Sequence, residues 1–194
     1  MHRHNIINKA FLIVAIFVLA GCTSPLDPKA KPVPQINFSH LEALSVRNGF
    51  VQIQQSFIED DQTRLVSREF QASPAAFLQN YAANRFKTNG SPVRLVFDIE
   101  KAALSKVTEQ INALSFMMGA ETDIYKLDVF INLFPVDTGG RQTEPFTIFY
   151  QRKLVLSSNV SLAERDYRRF EFFEKMINDI DRAVNDIVTT KLNP

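Results

Sequence analysis

The chain has 194 residues, with 22 Lys and Arg against 21 Asp and Glu and a 45% hydrophobic share that includes 17 phenylalanines. A near-neutral chain carries no electrostatic footprint for nucleic acid, and this much apolar surface suffices for one packed core. One cysteine, Cys22, and three histidines, His2, His4 and His40, leave little from which to build a disulfide, a thiol nucleophile or a His-based metal centre.

Arg3 and Lys9 precede an apolar run from Ala10 to Ala20, which ends at Gly21 and gives way to polar residues. A membrane-spanning helix needs about 20 apolar residues, so this shorter run has the layout of a secretory signal. Leu19, Ala20, Gly21 and Cys22 closely resemble the lipobox of bacterial lipoproteins. The resemblance implies cleavage between Gly21 and Cys22, a diacylglyceryl group on the Cys22 thiol and acylation of the new amino terminus. Acyl burial contributes about 0.8 kcal/mol per methylene, so three chains would hold the protein in the membrane lipid. Thr23, where an Asp would retain a lipoprotein at the inner membrane, implies sorting to the outer membrane, facing the periplasm. The alternative is an ordinary signal, cleaved or not, with Cys22 incidental.

Removing residues 1–21 from the 194 leaves 173, with 20 basic side chains against 21 acidic ones and His40 as the remaining histidine. Acylation would consume the only thiol. Ser-His-Asp or Cys-His catalysis then lacks parts, and the expectation is a protein that is not an enzyme and uses no metal or cofactor.

From Thr23 to Asn37 the chain holds Pro25, Pro28, Pro32 and Pro34 among polar residues. Such spacing favours an extended polyproline II tether rising about 3.1 Å per residue, and a single folded domain is expected from Phe38 to Pro194. Leu44 to Ile58 alternates apolar and polar residues, which predicts one long or two short strands broken at Asn48-Gly49, a common hairpin turn. Glu59, Asp60, Asp61 and Gln62 read as a solvated loop, because their spacing lacks the alternating ligands of a calcium loop. Ser73 and Pro74 cap a helix with a stripe of Phe77, Leu78, Tyr81, Ala82, Arg85 and Phe86, about four turns long and closed by Gly90. Val93, Leu95, Phe97 and Ile99 then alternate with polar residues in a half-buried strand, with Val96 out of phase.

Ala102 to Ala120 fits neither period. It is either the tail of that strand with an irregular hairpin arm, or a short helix from Lys106 to Phe116. Within it, Phe116, Met117 and Met118 are either core or an adaptable partner-binding or lipid-contact surface, since thioethers repack against varied partners. Ile124 to Val136 alternates Tyr125, Leu127, Val129, Ile131 and Leu133 against polar residues, and Phe146 to Leu156 is again β-rich. The Asp137–Arg141 stretch between them holds Gly139 and Gly140, which predicts a hairpin. Asp137, Thr138 and Gly139 also spell the aspartic-protease triplet, but that chemistry needs two carboxylates sharing a proton, and this copy sits where the chain must turn. Ser161 to Glu164 reads as a capping box opening the longest helix, to about Thr190. Its stripe of Phe170, Phe173, Ile177, Ile180, Val184, Ile187 and Val188 fits a helix laid across its own sheet better than a coiled-coil seam.

Two amphipathic helices separated by strands predict an α+β two-layer sandwich: a mostly antiparallel sheet with both helices packed on one face. That order behind a lipobox looks like the small periplasmic lipoproteins that include the lipopolysaccharide-assembly lipoprotein and the auxiliary lipoproteins of ABC-type lipid transporters. Residues Tyr81–Phe86, Val96–Ala102 and Leu162–Arg165 also resemble uncharacterised alphaproteobacterial envelope lipoproteins. Tyr81 stands where those proteins carry tryptophan, and Glu100, Lys101 and Ala102 replace an Asp-Ala pair. These resemblances imply a tethered, non-enzymatic accessory that binds a protein partner in envelope assembly or lipid transport, through an exposed sheet edge or Phe116–Met118. The alternative is a lipid- or glycan-binding module with a cavity between the terminal helix and the sheet.

Overall fold

The computed structural model describes residues 35–38, 41–47, 49–88, 90–110 and 121–192. The chain divides into two units, residues 1–32 and 33–194, and all the described residues belong to the second. That unit is an α+β sandwich. Its elements are β1 (Leu44–Val46), β2 (Phe50–Gln55), α1 (Asp61–Ser67), α2 (Pro74–Arg85), β3 (Phe86–Thr88), β4 (Arg94–Glu109), β5 (Thr122–Val136), β6 (Phe146–Ser157) and α3 (Leu162–Ile187). A turn of π-helix, Val188–Leu192, extends α3.

The main sheet has the order β2-β4-β5-β6. β4, β5 and β6 form an antiparallel meander, and β2 joins β4 in parallel. β5 shows the cause most simply: Tyr125, Leu127, Val129, Ile131 and Leu133 alternate along it and are all fully buried against the helices. β4 does the same with Leu95, Phe97 and Ile99, then changes phase at a β-bulge between Ile99 and Lys101, after which Ala102 and Leu104 are the buried residues. One extra residue flips every following side chain to the other face, which is why no single period fits this stretch. The tail is therefore strand as far as Glu109, not a helix from Lys106. Residues 111–120 lie outside the described residues. Val96, out of phase in the sequence, packs on the opposite face with Phe134 and Val136.

The Ser73 hydroxyl caps α2 by accepting from the Ala76 amide at 3.3 Å. The helix ends at Arg85, earlier than its sequence suggests, because Phe86 turns extended and pairs with Leu44 in a second, two-stranded sheet. Gly90 adopts a φ of 79°, as expected of a turn glycine, but in the β3–β4 connection rather than at a helix end. The strands on either side of Gly49 do not pair with each other in a hairpin either: β1 pairs with β3 and β2 with β4, both in parallel. Gly49 is needed for close approach, since its amide donates to the Val93 carbonyl at 2.6 Å and a Cβ there would lie 1.8 Å from the Ser91 carbonyl oxygen.

The acidic stretch expected to be a loop instead starts α1, whose N-terminal cap is Asp60. Its carboxylate accepts from the Thr63 amide at 2.6 Å. α3 opens as expected, with the Ser161 hydroxyl accepting from the Glu164 amide at 3.2 Å, although the Glu164 carboxylate accepts from Arg168 at 2.8 Å instead of completing the box. Its 26 residues span about 39 Å. Phe172, Phe173, Met176, Ile177, Ile180 and Val184 are buried against the sheet and α2, a wider stripe than one row. No helix among the described residues is long and apolar enough to cross a membrane.

Candidate functional site

Where the first half of α3 meets the α1–α2 connection, two clefts open side by side. One, of about 250 Å³, is walled by Ile36, Phe70, Phe77, Phe170 and Phe173, with Glu69, Gln71, Asp166 and Arg169 at its rim. The other, of about 300 Å³, runs past Gln35, Ile36, Asn37, Tyr167, Phe170, Glu174, Ile177 and Asn178. Ile36 and Phe170 line both. Residues 35–38 thus lie along this side of α3, with Ile36 and Phe38 packed against the core. The Phe38 ring meets the Tyr81 ring edge-on at 6.0 Å.

The aromatic wall is continuous. Phe173 stands 4.8 Å from Phe70 and 4.8 Å from Phe77, ring centre to ring centre, and Phe70 meets Tyr125 edge-on at 5.3 Å. Ring contacts of this kind contribute beyond the area they bury.

Beneath the wall lies a balanced cluster of charge. Arg169 Nη2 donates to Glu69 Oε2 at 2.7 Å and to the Tyr125 hydroxyl at 2.9 Å, and its Nη1 donates to Asp166 at 3.2 Å. Lys106 Nζ donates to Glu69 Oε1 at 3.0 Å and lies 3.2 Å from Asp123 Oδ2. The Tyr125 hydroxyl donates to Glu69, and Arg165 donates to Asp123, which also accepts from the Thr108 hydroxyl at 2.8 Å. Three cations and three carboxylates from α3, β4, β5 and the α1–α2 connection therefore neutralise one another. The Arg169 guanidinium also lies over the Phe70 and Tyr125 rings, at 5.7 and 5.6 Å.

Burial opposes the negative charge of Glu69, but hydrogen bonds from Tyr125 and Lys106 and the charge of Arg169 outweigh it and hold the carboxyl below its ordinary range. Asp123 is lowered in the same way, with burial opposed by Thr108, Lys106 and Arg165. Burial works against the Lys106 charge, yet Glu69 and Asp123 raise its pKa. Burial and the bond to Glu69 push the Tyr125 hydroxyl up, so it remains a donor. Glu69, Asp123, Lys106 and Tyr125 are each held in the protonation state they already have at neutral pH. Such an arrangement fixes geometry and offers a rigid rim to a bound group.

Arg165 and Arg169 lie outside the apolar stripe that the sequence marks on α3, and the structure turns both inward. Their partner Glu69 belongs to a stretch with no sequence signal. The Asp137 turn is structural: its carboxylate accepts from the Arg141 amide at 2.8 Å and from Arg141 Nε at 3.1 Å, and its backbone closes the hairpin. Gly21 and Cys22, the cleavage and lipidation residues, lie outside the described residues. So do Phe116, Met117 and Met118, and His40.

No family model matches this chain, and no curated protein does. Among solved structures, a minor lipoprotein from Acinetobacter baumannii is similar over 74% of this chain and 92% of its own, at 11% identity and a TM-score of 0.34. That score falls short of a shared fold.

Proposed function

We propose that the chain is a lipid-anchored protein of the bacterial envelope, sorted by Thr23 to the periplasmic side of the outer membrane, and that its folded body binds a protein partner without catalysing a reaction. The observation that carries this reading is the sequence Leu19-Ala20-Gly21-Cys22 at the end of a short apolar run, followed by a proline-rich tether. Two features of the folded body support it: the segment entering it is seated on the core by Ile36 and Phe38, and the charges of Glu69, Asp166 and Arg169 beside the clefts are already paired. A role in envelope assembly or lipid transport belongs to the same proposal.

The size of these two clefts favours a protein over a lipid occupant. Sites that enclose a small molecule run to about 300–1,000 Å³, and these clefts stand at or below the lower limit. They suit one or two side chains of a partner. The space between α3 and the sheet, where the alternative reading places a lipid or glycan cavity, is occupied by Phe173, Met176, Ile177, Ile180 and Val184. The lipid- or glycan-binding reading is kept second, on the aromatic wall of the cleft alone.

Fractionation of cells carrying the wild-type chain or Cys22→Ala, with palmitate labelling, tests the anchor, and crosslinking in intact envelopes tests the partner. The expected result is loss of label and of membrane association in the variant, and a discrete crosslinked protein with the wild type. Unchanged association and labelling would overturn the anchor, and the absence of any crosslinked protein would overturn the partner.

A further inference from the structure

On the face of the sheet turned away from the helices, the register sets Lys126 directly opposite Lys153. Both are exposed, and neither is paired with a carboxylate among the described residues. Like charges directly opposed on adjacent strands destabilise a sheet. The next row shows the ordinary solution, because there Asp128 accepts from Lys101 at 3.3 Å and from Gln151 at 2.8 Å.

Among the described residues β6 is the last strand of the sheet, with β5 on one side and no strand on the other. Its twelve residues contain no acid. Along the open face it presents Phe149, Gln151, Lys153 and Val155 at alternate positions, and Phe149 and Val155 are 53% and 50% exposed. Arg152 points the other way and is engaged by Asp179 at 3.7 Å. A long edge with exposed apolar residues on either side of an unpaired cation is a template for another strand.

We infer that the outer edge of β6 receives an extended, acidic segment of the partner protein, which adds as a fifth strand with a carboxylate beside Lys153 and Lys126 and apolar side chains beside Val155 and Phe149. This deepens the binding-module reading and rests on it. Main-chain hydrogen bonds along the edge supply affinity, and alternate side chains supply selection. Running antiparallel to β6, the segment reads apolar opposite Val155, acidic two residues later and apolar again four residues after that.

The test uses the full acylated chain in detergent and a fluorescent seven-residue peptide with valine first, glutamate third, phenylalanine last and threonine elsewhere. A second peptide replaces the glutamate by lysine, and a third is N-methylated on every backbone nitrogen. The glutamate peptide is expected to bind at least tenfold more tightly than the lysine peptide, the N-methylated one to lose binding, and Lys153→Glu to reverse the preference. Lys153 is exposed and Lys153→Glu turns two opposed cations into an opposite-charge pair, so that variant holds or raises its thermal midpoint. Equal affinities, binding that survives N-methylation or no binding of the glutamate peptide would overturn the inference. So would phosphatidylglycerol vesicles that bind the unacylated Cys22→Ala chain and not the same chain with Lys153→Glu, since the lysines would then serve a bilayer. Anchoring through Cys22 and crosslinking of a partner are read separately, so failure at β6 leaves the general reading intact.

Discussion

Asp181 on α3 is the acceptor that ties the two long helices together, and its replacement should be among the most damaging single changes outside the aromatic core. Its carboxylate accepts from the Tyr81 hydroxyl at 2.7 Å and from Arg85 Nε and Nη2 at 2.5 and 3.2 Å, all from α2. The side chains of Arg85 and Asp181 are only 7% and 15% exposed. Burial and the Asp181 carboxylate together drive the pKa of the Tyr81 hydroxyl upward, so it stays a donor. Asp181→Ala strands a buried guanidinium whose Nη1 already lacks an acceptor among the described residues. Breaking a buried ion pair from one side costs about 3–5 kcal/mol, and the slight exposure of this one places it near 3–4 kcal/mol. In a body of this size each kcal/mol moves Tm by roughly 2–4 °C, so the midpoint should fall by about 6–16 °C. Removing both charges, as Arg85→Met with Asp181→Leu, should restore most of the loss and leave about 1 kcal/mol for the unpaired Tyr81 hydroxyl. Urea unfolding of wild type, single and double variants measures all three. A single variant within 1 kcal/mol of wild type, or a double variant no better than the single, would refute the reasoning.

The charge cluster sets a pH window. Glu69 and Asp123 have lowered pKa values in the folded chain, so the stability they contribute is present above their ordinary values of 4.5 and 3.8 and is lost as pH falls through the folded ones. Lys106 and Tyr125 are raised, so their contribution is complete below 10.5 and 10.0 and is lost as pH climbs past the folded values. Unfolding free energy measured against pH should therefore be flat between about 5 and 9 and fall on both sides; a maximum inside the acid limb would contradict this. Phe173 is 1% exposed between Phe70 and Phe77, so Phe173→Ala should cost about 3–5 kcal/mol by chemical denaturation. Replacing Met117 and Met118 by Ser should weaken co-purification of a partner while leaving the thermal midpoint nearly unchanged, and a collapse of stability would show that they are core.

The elements that were legible in the sequence are those in which a single period runs unbroken. Every alternate residue from Tyr125 to Leu133 is buried, and Ser73-Pro74 and Ser161 cap helices where expected. β4 was half legible because the bulge after Ile99 inverts its alternation, so its continuation to Glu109 looked aperiodic. α1 was missed because its seven residues offer too few apolar positions for a stripe, although Asp60 three residues before Thr63 was a capping signal. In α3 the spacing marks a single row of apolar residues, and Phe172 and Met176, one step off that row, are just as buried. The charge cluster was not legible at all: Glu69 and Arg169 are separated by 100 residues, and nothing local marks residues that meet only once the sandwich has closed.

The central claim is the attachment of the chain through Cys22. Mass spectrometry of the mature amino-terminal peptide, taken from detergent-extracted envelopes, tests it most directly. The account requires a peptide that begins at Cys22 and carries a diacylglyceryl group with a further acyl chain on its amino terminus. A mature chain that begins elsewhere, or one with an unmodified thiol at Cys22, would contradict it.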